Sequence, residues 1–135
     1  IFVAGAGTDG TISGIGAFLK QQNPAVKIVA IEPDTSAVLS GKEAGPHGLQ
    51  GIGAGFIPDV LDTEILDEVV TVEDAEAFEI ARNMGKTEGF LIGISSGAAL
   101  YTAIKLAAMD ENEGKKIVVI LPDSGSRYLS SGLYD

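Results

Sequence analysis

The strongest constraint on the fold is a set of four short apolar runs, rich in β-branched residues, that recur along the chain. They span residues 1–5, 27–33, 68–72 and 116–122. Within each run apolar residues follow one another instead of alternating with polar ones, which is typical of strands buried on both faces. Helices that cross over between parallel strands cover a sheet in this way. The runs therefore predict the strands of a mostly parallel sheet.

Three segments between these runs have the residue pattern of helices. Residues 11–22 place apolar side chains on one face, and residues 96–109 form an alanine-rich pattern. Residues 72–84 begin at the capping-box spacing of Thr71 and Asp74. Strands that alternate with helices predict right-handed crossovers. We therefore expect an α/β fold, with a mostly parallel twisted sheet of about four strands and helices on both faces.

Charge and composition narrow the classes of function. The 135 residues carry 9 Lys and Arg against 19 Asp and Glu, a formal charge of −10. Such acidity argues against nucleic acid, because a phosphate backbone is bound through a basic surface. With no cysteine and one histidine, the sequence offers no disulfide, no thiolate nucleophile and no cysteine–histidine metal site. It also has no run of about 18 apolar residues, so we expect no membrane span. Because cysteine is absent and histidine occurs once, we expect no metal site.

The loop after the first run is rich in glycine and matches a known pattern. Residues 5–10, GAGTDG, fit G-x-G-x-x-G between a predicted strand and a predicted helix, and Glu32 ends the next strand. These features match the fingerprint of a NAD-binding domain of a dehydrogenase. The physical basis is less specific, because glycines and a helix N-terminus suit any phosphate. A glycine-rich turn without a ligand is the third interpretation.

Two details favour a phosphomonoester over NAD. Thr8 and Thr11 supply hydroxyls that can bind the three oxygens of a terminal phosphate. A second loop of small residues, 93–97, also precedes a predicted helix.

The glycine-rich stretch 45–58 lies in a long irregular section, where loops are more often functional than mere linkers. For His47 in this stretch we expect a loop or cap role, and we expect the carboxylates of residues 59–74 to form a solvated face.

Five segments together resemble a known family. VAGAGTDGT, IEP, GPHGLQGIGAGFIP, GISSGAA and LPDSGSRYLS occur in this order and resemble the cysteine synthases, or O-acetylserine sulfhydrylases. These are pyridoxal-phosphate enzymes of fold type II, which share their fold with the β subunit of tryptophan synthase. The resemblance covers the whole chain and corresponds to roughly the C-terminal two-fifths of such an enzyme. It implies that residues 1–135 are the C-terminal portion of the large cofactor-binding domain, with the N-terminal part of the enzyme absent.

The resemblance also implies the function and the site. The reaction would be a β-replacement that forms L-cysteine from O-acetyl-L-serine and sulfide with pyridoxal 5′-phosphate as cofactor. The enzyme would be a cytoplasmic homodimer whose active site also accepts the C-terminal tail of serine acetyltransferase. The residues at the family's phosphate-binding positions are Gly7, Thr8, Asp9, Gly10 and Thr11. Ser95 occupies the position that contacts the pyridine nitrogen. The residues that line the substrate site are Gly51, Ile52, Gly53 and Ala54.

A serine at the ring nitrogen has a chemical consequence. A neutral hydroxyl does not hold a proton on that nitrogen as a carboxylate would, so the ring is a weaker electron sink. This favours β-elimination and replacement over transamination. The residues alone leave a second role open, because Ser95 or Ser96 could instead cap the following helix.

The sequence departs from the family at several points. Asp9 stands where the family usually has a small residue, and we expect its carboxylate to point to solvent, away from a phosphate. Ser126 replaces a glutamate. No lysine of this chain has the sequence context of the family's Schiff-base lysine, so we assign no catalytic residue here and expect these residues alone to be inactive. A non-catalytic module that binds phosphate or a peptide is a further alternative.

Overall fold

Four parallel strands form the sheet of the computed structural model, which describes residues 1–7 and 9–135. They are β1 (Phe2–Gly5), β2 (Ile28–Pro33), β3 (Glu68–Val72) and β4 (Val118–Val119), in the order β3-β2-β1-β4. β1 pairs with both β2 and β4, and β3 pairs with β2, always in parallel. The predicted parallel sheet of about four strands is confirmed. β4 is shorter than its apolar run, and it pairs with β1 alone at one edge of the sheet.

Three helices cover the two faces of this sheet. They are α1 (Gly10–Gln22), α2 (Asp74–Glu88) and α3 (Ile94–Ala107). α1 packs against one face, and α2 and α3 pack together on the other. The prediction of helices on both faces is therefore confirmed. None of the helices in residues 1–7 and 9–135 has the length and hydrophobicity that a membrane crossing requires.

The capping box of α2 differs from the prediction. Thr71 pairs within β3, so it cannot cap a helix. The box consists instead of Glu73 and Glu76, each of whose side chains accepts a hydrogen bond from the other's backbone N–H. The spacing of Thr71 and Asp74 therefore gave the correct helix with the wrong capping residues.

Alternation along β1 and β2 explains why the apolar runs are continuous. Phe2 and Ile28 belong to the core beneath α1, whereas Val3 and Val29 belong to the core beneath α2 and α3. Successive side chains of a strand point to opposite faces, and both faces are covered here. Since β1 leads directly into α1, the helix N-terminus lies at the carboxyl end of the strands, where ligands of parallel sheets bind.

The carboxylates of residues 59–74 do not all form the solvated face that we expected. Asp67 accepts hydrogen bonds from the Lys20 ammonium at 2.8 Å and from the Ile28 amide at 2.7 Å. Asp74 accepts one from the Gly48 amide at 2.6 Å. These two side chains therefore fasten the irregular section to the sheet and to α2.

The contact between α2 and α3 generates a stability prediction. A Cβ at Gly97 would lie 2.2 Å from the carbonyl oxygen of Ala77, so the two helices would have to separate. We expect Gly97→Ala to lower the free energy of unfolding by about 1–3 kcal/mol, the usual cost of overpacking. Gly14→Ala in α1 is the matched control, because its Cβ would meet nothing within 4 Å. The control should gain up to about 1 kcal/mol from helix propensity. Urea unfolding measures both; equal effects would contradict the packing argument.

Candidate cofactor-binding site

The loop after β1 forms one end of a cavity at the carboxyl edge of the sheet. Gly7, Asp9 and Thr11 line this end of the cavity, whose volume is about 210 Å³. α1 begins directly after Asp9, so the unpaired N–H groups of its first turn lie here. These donors and the helix dipole favour an anion. Gly10 is the exposed first residue of α1, and Thr8, also expected in this loop, lies outside the described residues.

The N-terminus of α3 supplies the opposite side of the cavity. Ser95, the second residue of α3, is buried and lines the cavity. Ile120 and Pro122, which follow β4, line it as well. No motif in the sequence marks these two residues as part of the site. Their position just after a strand of a parallel sheet was the available signal, because the carboxyl ends of such strands share an edge.

The adjacent serines of α3 have separate roles. Ser96 donates a hydrogen bond to Oδ1 of Asp123 at 2.9 Å, and the hydroxyl of Tyr128 donates to the other carboxylate oxygen. Neither serine caps the helix: Gly93 is the N-cap, and a Cβ at Gly93 would lie 2.1 Å from Oδ1 of Asp123. The capping alternative for Ser95 is therefore wrong. Ser96 fastens α3 to the segment after β4 and leaves Ser95 to face the cavity.

The glycine-rich section forms the third wall and packs directly on the loop after β1. Gly51 and Ile52 line the cavity. A Cβ at Gly7 would lie 2.5 Å from the carbonyl oxygen of Gly51, and one at Gly5 would lie 2.6 Å from the Ile52 side chain. Only glycine permits this approach of two segments. The amide of Gly53 then donates to the carbonyl of Ala6 at 2.9 Å, which holds them in register.

An adjoining, more open pocket shares part of this wall. Ala54 lines it together with Phe56 and Pro58, and its volume is about 330 Å³. Gly7, Gly51 and Ile52 line both this pocket and the main cavity. Of the four residues expected at the substrate site, two therefore lie in the main cavity and Ala54 lies beside it, while Gly53 lines a small void behind the loop.

His47 has the structural role that we expected. Its Nδ1 accepts a hydrogen bond from the Leu49 amide at 3.2 Å, and its Nε2 lies 2.8 Å from the Gly53 carbonyl oxygen. A backbone N–H only donates, so Nδ1 carries no proton and Nε2 is the donor to Gly53. The ring thus joins residues 47–49 to Gly53 within the glycine-rich section.

The expectation that Asp9 points to solvent is wrong. Only 4% of its surface is exposed, and its Oδ1 is buried without a hydrogen-bond partner among the described residues. Its backbone has the left-handed angles φ 65° and ψ 7°, which aspartate tolerates better than most residues. Burial raises the pKa of its carboxyl above the ordinary 3.8, although a hydrogen bond from the Gly7 amide acts in the opposite direction.

Glu32 does not have the role that a dinucleotide fingerprint requires. Its carboxylate accepts hydrogen bonds from the amides of Leu39 and Ser40, at 2.8 and 3.0 Å, and from the Ser40 hydroxyl at 2.7 Å. The side chain is buried. It therefore stabilises the turn after β2 instead of facing a ribose, and nothing in the site supports the dehydrogenase interpretation.

Comparison with known proteins connects this cavity to a class of enzymes. The family model described as pyridoxal-phosphate dependent enzyme matches residues 1–123. Cysteine synthases from Staphylococcus aureus strains Mu50 and N315 are 55% identical to this chain over 133 residues. These matches cover 98% of this chain but 43% of each relative. The chain thus spans about two-fifths of the length of the curated relatives it matches.

Solved structures agree with the sequence matches. Cysteine synthase from Entamoeba histolytica superposes with a TM-score of 0.96 at 49% identity, over 98% of this chain and 40% of that one. O-acetyl serine sulfhydrylase isoform 3 from the same organism gives 0.95 at 51% identity, over the same shares. An O-ureido-L-serine synthase gives 0.94 at 41% identity, over 99% of this chain and 42% of that one.

The separate roles of the two serines generate a second prediction. Ser96→Ala leaves Oδ1 of Asp123 without its serine donor, so we expect the free energy of unfolding to fall by about 1–3 kcal/mol. Ser95→Ala, the matched control, removes a hydroxyl that faces the cavity and should change stability by less than about 0.5 kcal/mol. Both are measured by urea unfolding without ligand. A larger loss for Ser95→Ala than for Ser96→Ala would contradict the assignment.

Proposed function

This chain belongs to the family of pyridoxal-phosphate dependent enzymes, and we propose that it is the C-terminal portion of the large cofactor-binding domain of a cysteine-forming enzyme. The reaction proposed is β-replacement, in which O-acetyl-L-serine and sulfide give L-cysteine and acetate. The observation that carries the proposal is a single cavity that joins Gly7, Gly51 and Ser95 from three distant segments. The similarity to cysteine synthases supports it.

The residues around the cavity fit the parts of pyridoxal phosphate. The loop end offers the N-terminus of α1 and the hydroxyl of Thr11 to a phosphate. Ile52 and Ile120 offer apolar surface to the faces of a flat ring. Ser95 offers a hydroxyl for the ring nitrogen. When bound, the cofactor supplies an electron sink that lets an amino acid exchange its β-substituent.

Ser95 would tune the cofactor through two effects that act in the same direction. Its hydroxyl is neutral, so it does not stabilise a protonated ring nitrogen as a carboxylate would. It also lies in the first turn of α3, where the positive end of the helix dipole disfavours a cation. A ring nitrogen held unprotonated draws electrons less strongly, which favours β-replacement over transamination.

The other cavity residues would bind and orient the cofactor. The first turn of α1 would fix the position of the phosphate by hydrogen bonds. The apolar side chains of Ile52, Ile120 and Pro122, which line the cavity, would exclude water from the ring. None of the described residues that line the cavity is a lysine, so the covalent anchor and the proton transfers fall to groups outside this set.

The proposed ligands are small molecules, namely O-acetylserine and sulfide. A homodimer in the cytoplasm, with the C-terminal tail of serine acetyltransferase as a further ligand, stays a prediction from the resemblance.

The proposed function is tested on the longest natural polypeptide that contains residues 1–135. With pyridoxal phosphate, O-acetyl-L-serine and sulfide, we expect cysteine formation, which a ninhydrin assay measures. Residues 1–135 alone, assayed in parallel, should form none. Cofactor or peptide binding without turnover by the longer polypeptide would favour the non-catalytic module. Cysteine formation by residues 1–135 alone would contradict the assignment of the anchor to other residues.

The role of Ser95 gives a more specific prediction. Ser95→Asp places a carboxylate at the ring nitrogen, so we expect the absorbance of the bound cofactor to shift and kcat for cysteine formation to fall at least about 100-fold, or about 2.7 kcal/mol. Ser95→Ala, the matched control, removes the hydrogen bond without adding charge and should lose less than about tenfold. Equal losses for the two variants would contradict an electronic role for this position.

A further inference from the structure

Asp9 is the one carboxylate among the described residues that line the main cavity. It precedes the first residue of α1, is 4% exposed, and also lines the small void behind the loop. Its Oδ1 is buried without a partner among those residues. A buried oxygen without a partner costs free energy, so a ligand that satisfies it would gain affinity. This oxygen lies beside the helix N-terminus that would hold a phosphate.

No positive side chain faces Asp9 from the described elements around it. From α1 and α3 the polar groups are the hydroxyls of Thr11 and Ser95, which are neutral. The polar group that β2 contributes is Glu32, whose carboxylate already accepts hydrogen bonds from the turn after β2. The segment opposite contributes Gly53, behind which His47 is held by its two ring hydrogen bonds. The lining residues that follow β4, Ile120 and Pro122, are apolar.

A phosphate ester in this place would meet an uncompensated negative charge. At neutral pH the ester carries a charge of about −1.5 to −2. Two anions that share a buried site do not both stay ionised, so the pair takes up one proton. The N–H groups and the dipole of α1 stabilise the doubly charged phosphate, whereas burial disfavours the charged carboxylate, so the proton goes to Asp9. A carboxyl is uncharged once protonated, and it then has an O–H that can donate to a phosphate oxygen. Protonation of Asp9 would therefore also give its buried Oδ1 a hydrogen-bond partner.

We propose that the phosphate cradle, formed by Gly7, Asp9 and the first turn of α1, binds a phosphate ester together with one proton, which is held on Asp9 and donated in a hydrogen bond to a phosphate oxygen. This inference rests on the proposed function, in which the ester is the cofactor's. A small uncharged residue at this position, which the resemblance implies for the family, would bind the phosphate without the proton. Asp9 thus makes the affinity for the cofactor depend on pH.

Burial of the carboxyl acts in the required direction. It raises the pKa of Asp9 already in the ligand-free protein, and a bound dianion would raise it further. Below the pKa of the free protein the proton is already on Asp9, so Asp9 weakens the binding of phosphate least there. Between that pKa and the pKa of the complex, the affinity falls as pH rises, by up to tenfold for each pH unit.

The test measures binding of pyridoxine 5′-phosphate between pH 5 and 9 to the cofactor-free form of the longest natural polypeptide that contains residues 1–135. This probe has the ring and the phosphomonoester but no aldehyde, so it forms no covalent bond. Asp9→Asn is the matched variant, because asparagine has the same shape, tolerates a left-handed backbone and does not titrate. The ring and phosphate of the probe titrate in both proteins, so the difference between them isolates Asp9.

We expect the dissociation constant of the wild-type protein to rise with pH more steeply than that of the variant, by up to tenfold per unit. Calorimetry in buffers of different ionisation enthalpy should show up to one more proton taken up by the wild type. Equal slopes and equal proton counts would overturn the inference, and so would absence of binding in both proteins. If Asp9→Asn does not fold, Asp9→Gly, which suits φ 65°, provides the same comparison.

The two proposals fail separately. A steeper slope in a protein that forms no cysteine would sustain the proton-coupled cradle and refute the proposed function. Equal slopes in a protein that forms cysteine would sustain the proposed function and refute the proton-coupled cradle.

Discussion

The site depends on the close approach of two stretches of backbone, the loop after β1 and the segment around Gly51. The carbonyl of Gly51 occupies the place where a side chain at position 7 would begin. That contact brings Ile52 over the end of β1 and creates the wall that the cavity needs. His47 and the hydrogen bond between Gly53 and Ala6 then keep the segment in place. Without the approach, the phosphate loop would be an ordinary open turn.

An acidic chain can still offer an anion site, because the attraction comes from the backbone. The formal charge is −10, and the described lining residues of the main cavity include no lysine, arginine or histidine. The N-termini of α1 and α3 both reach this cavity and supply partial positive charge there. Such dipoles are fixed by the fold and act over short distances. Binding is therefore selective for a ligand that reaches the cavity, without attraction of anions over the rest of the surface.

The sequence was sufficient for the layers of the fold and for the identity of the loops. Continuous apolar runs predict strands covered on both faces, and Val3 and Phe2 show why, since neighbouring residues enter opposite cores. The roles of residues at the ends of helices and strands were harder to predict. Thr71, for example, belongs to a strand and does not cap α2 because β3 pairs with β2. Burial of Asp9 and the separate roles of Ser95 and Ser96 could not be predicted. They depend on contacts with residues far away in the chain, such as Asp123, which no local pattern encodes.

The ring of His47 has one further consequence, for spectroscopy. It is the only imidazole in these 135 residues, and both of its nitrogens bind backbone atoms of the glycine-rich section. A single tautomer follows from those two bonds. The nitrogen resonances of this one side chain therefore report whether the section is closed over the cavity. In residues 1–135, the wall of the site carries its own NMR reporter, because enrichment with nitrogen-15 makes this ring visible without an added probe group.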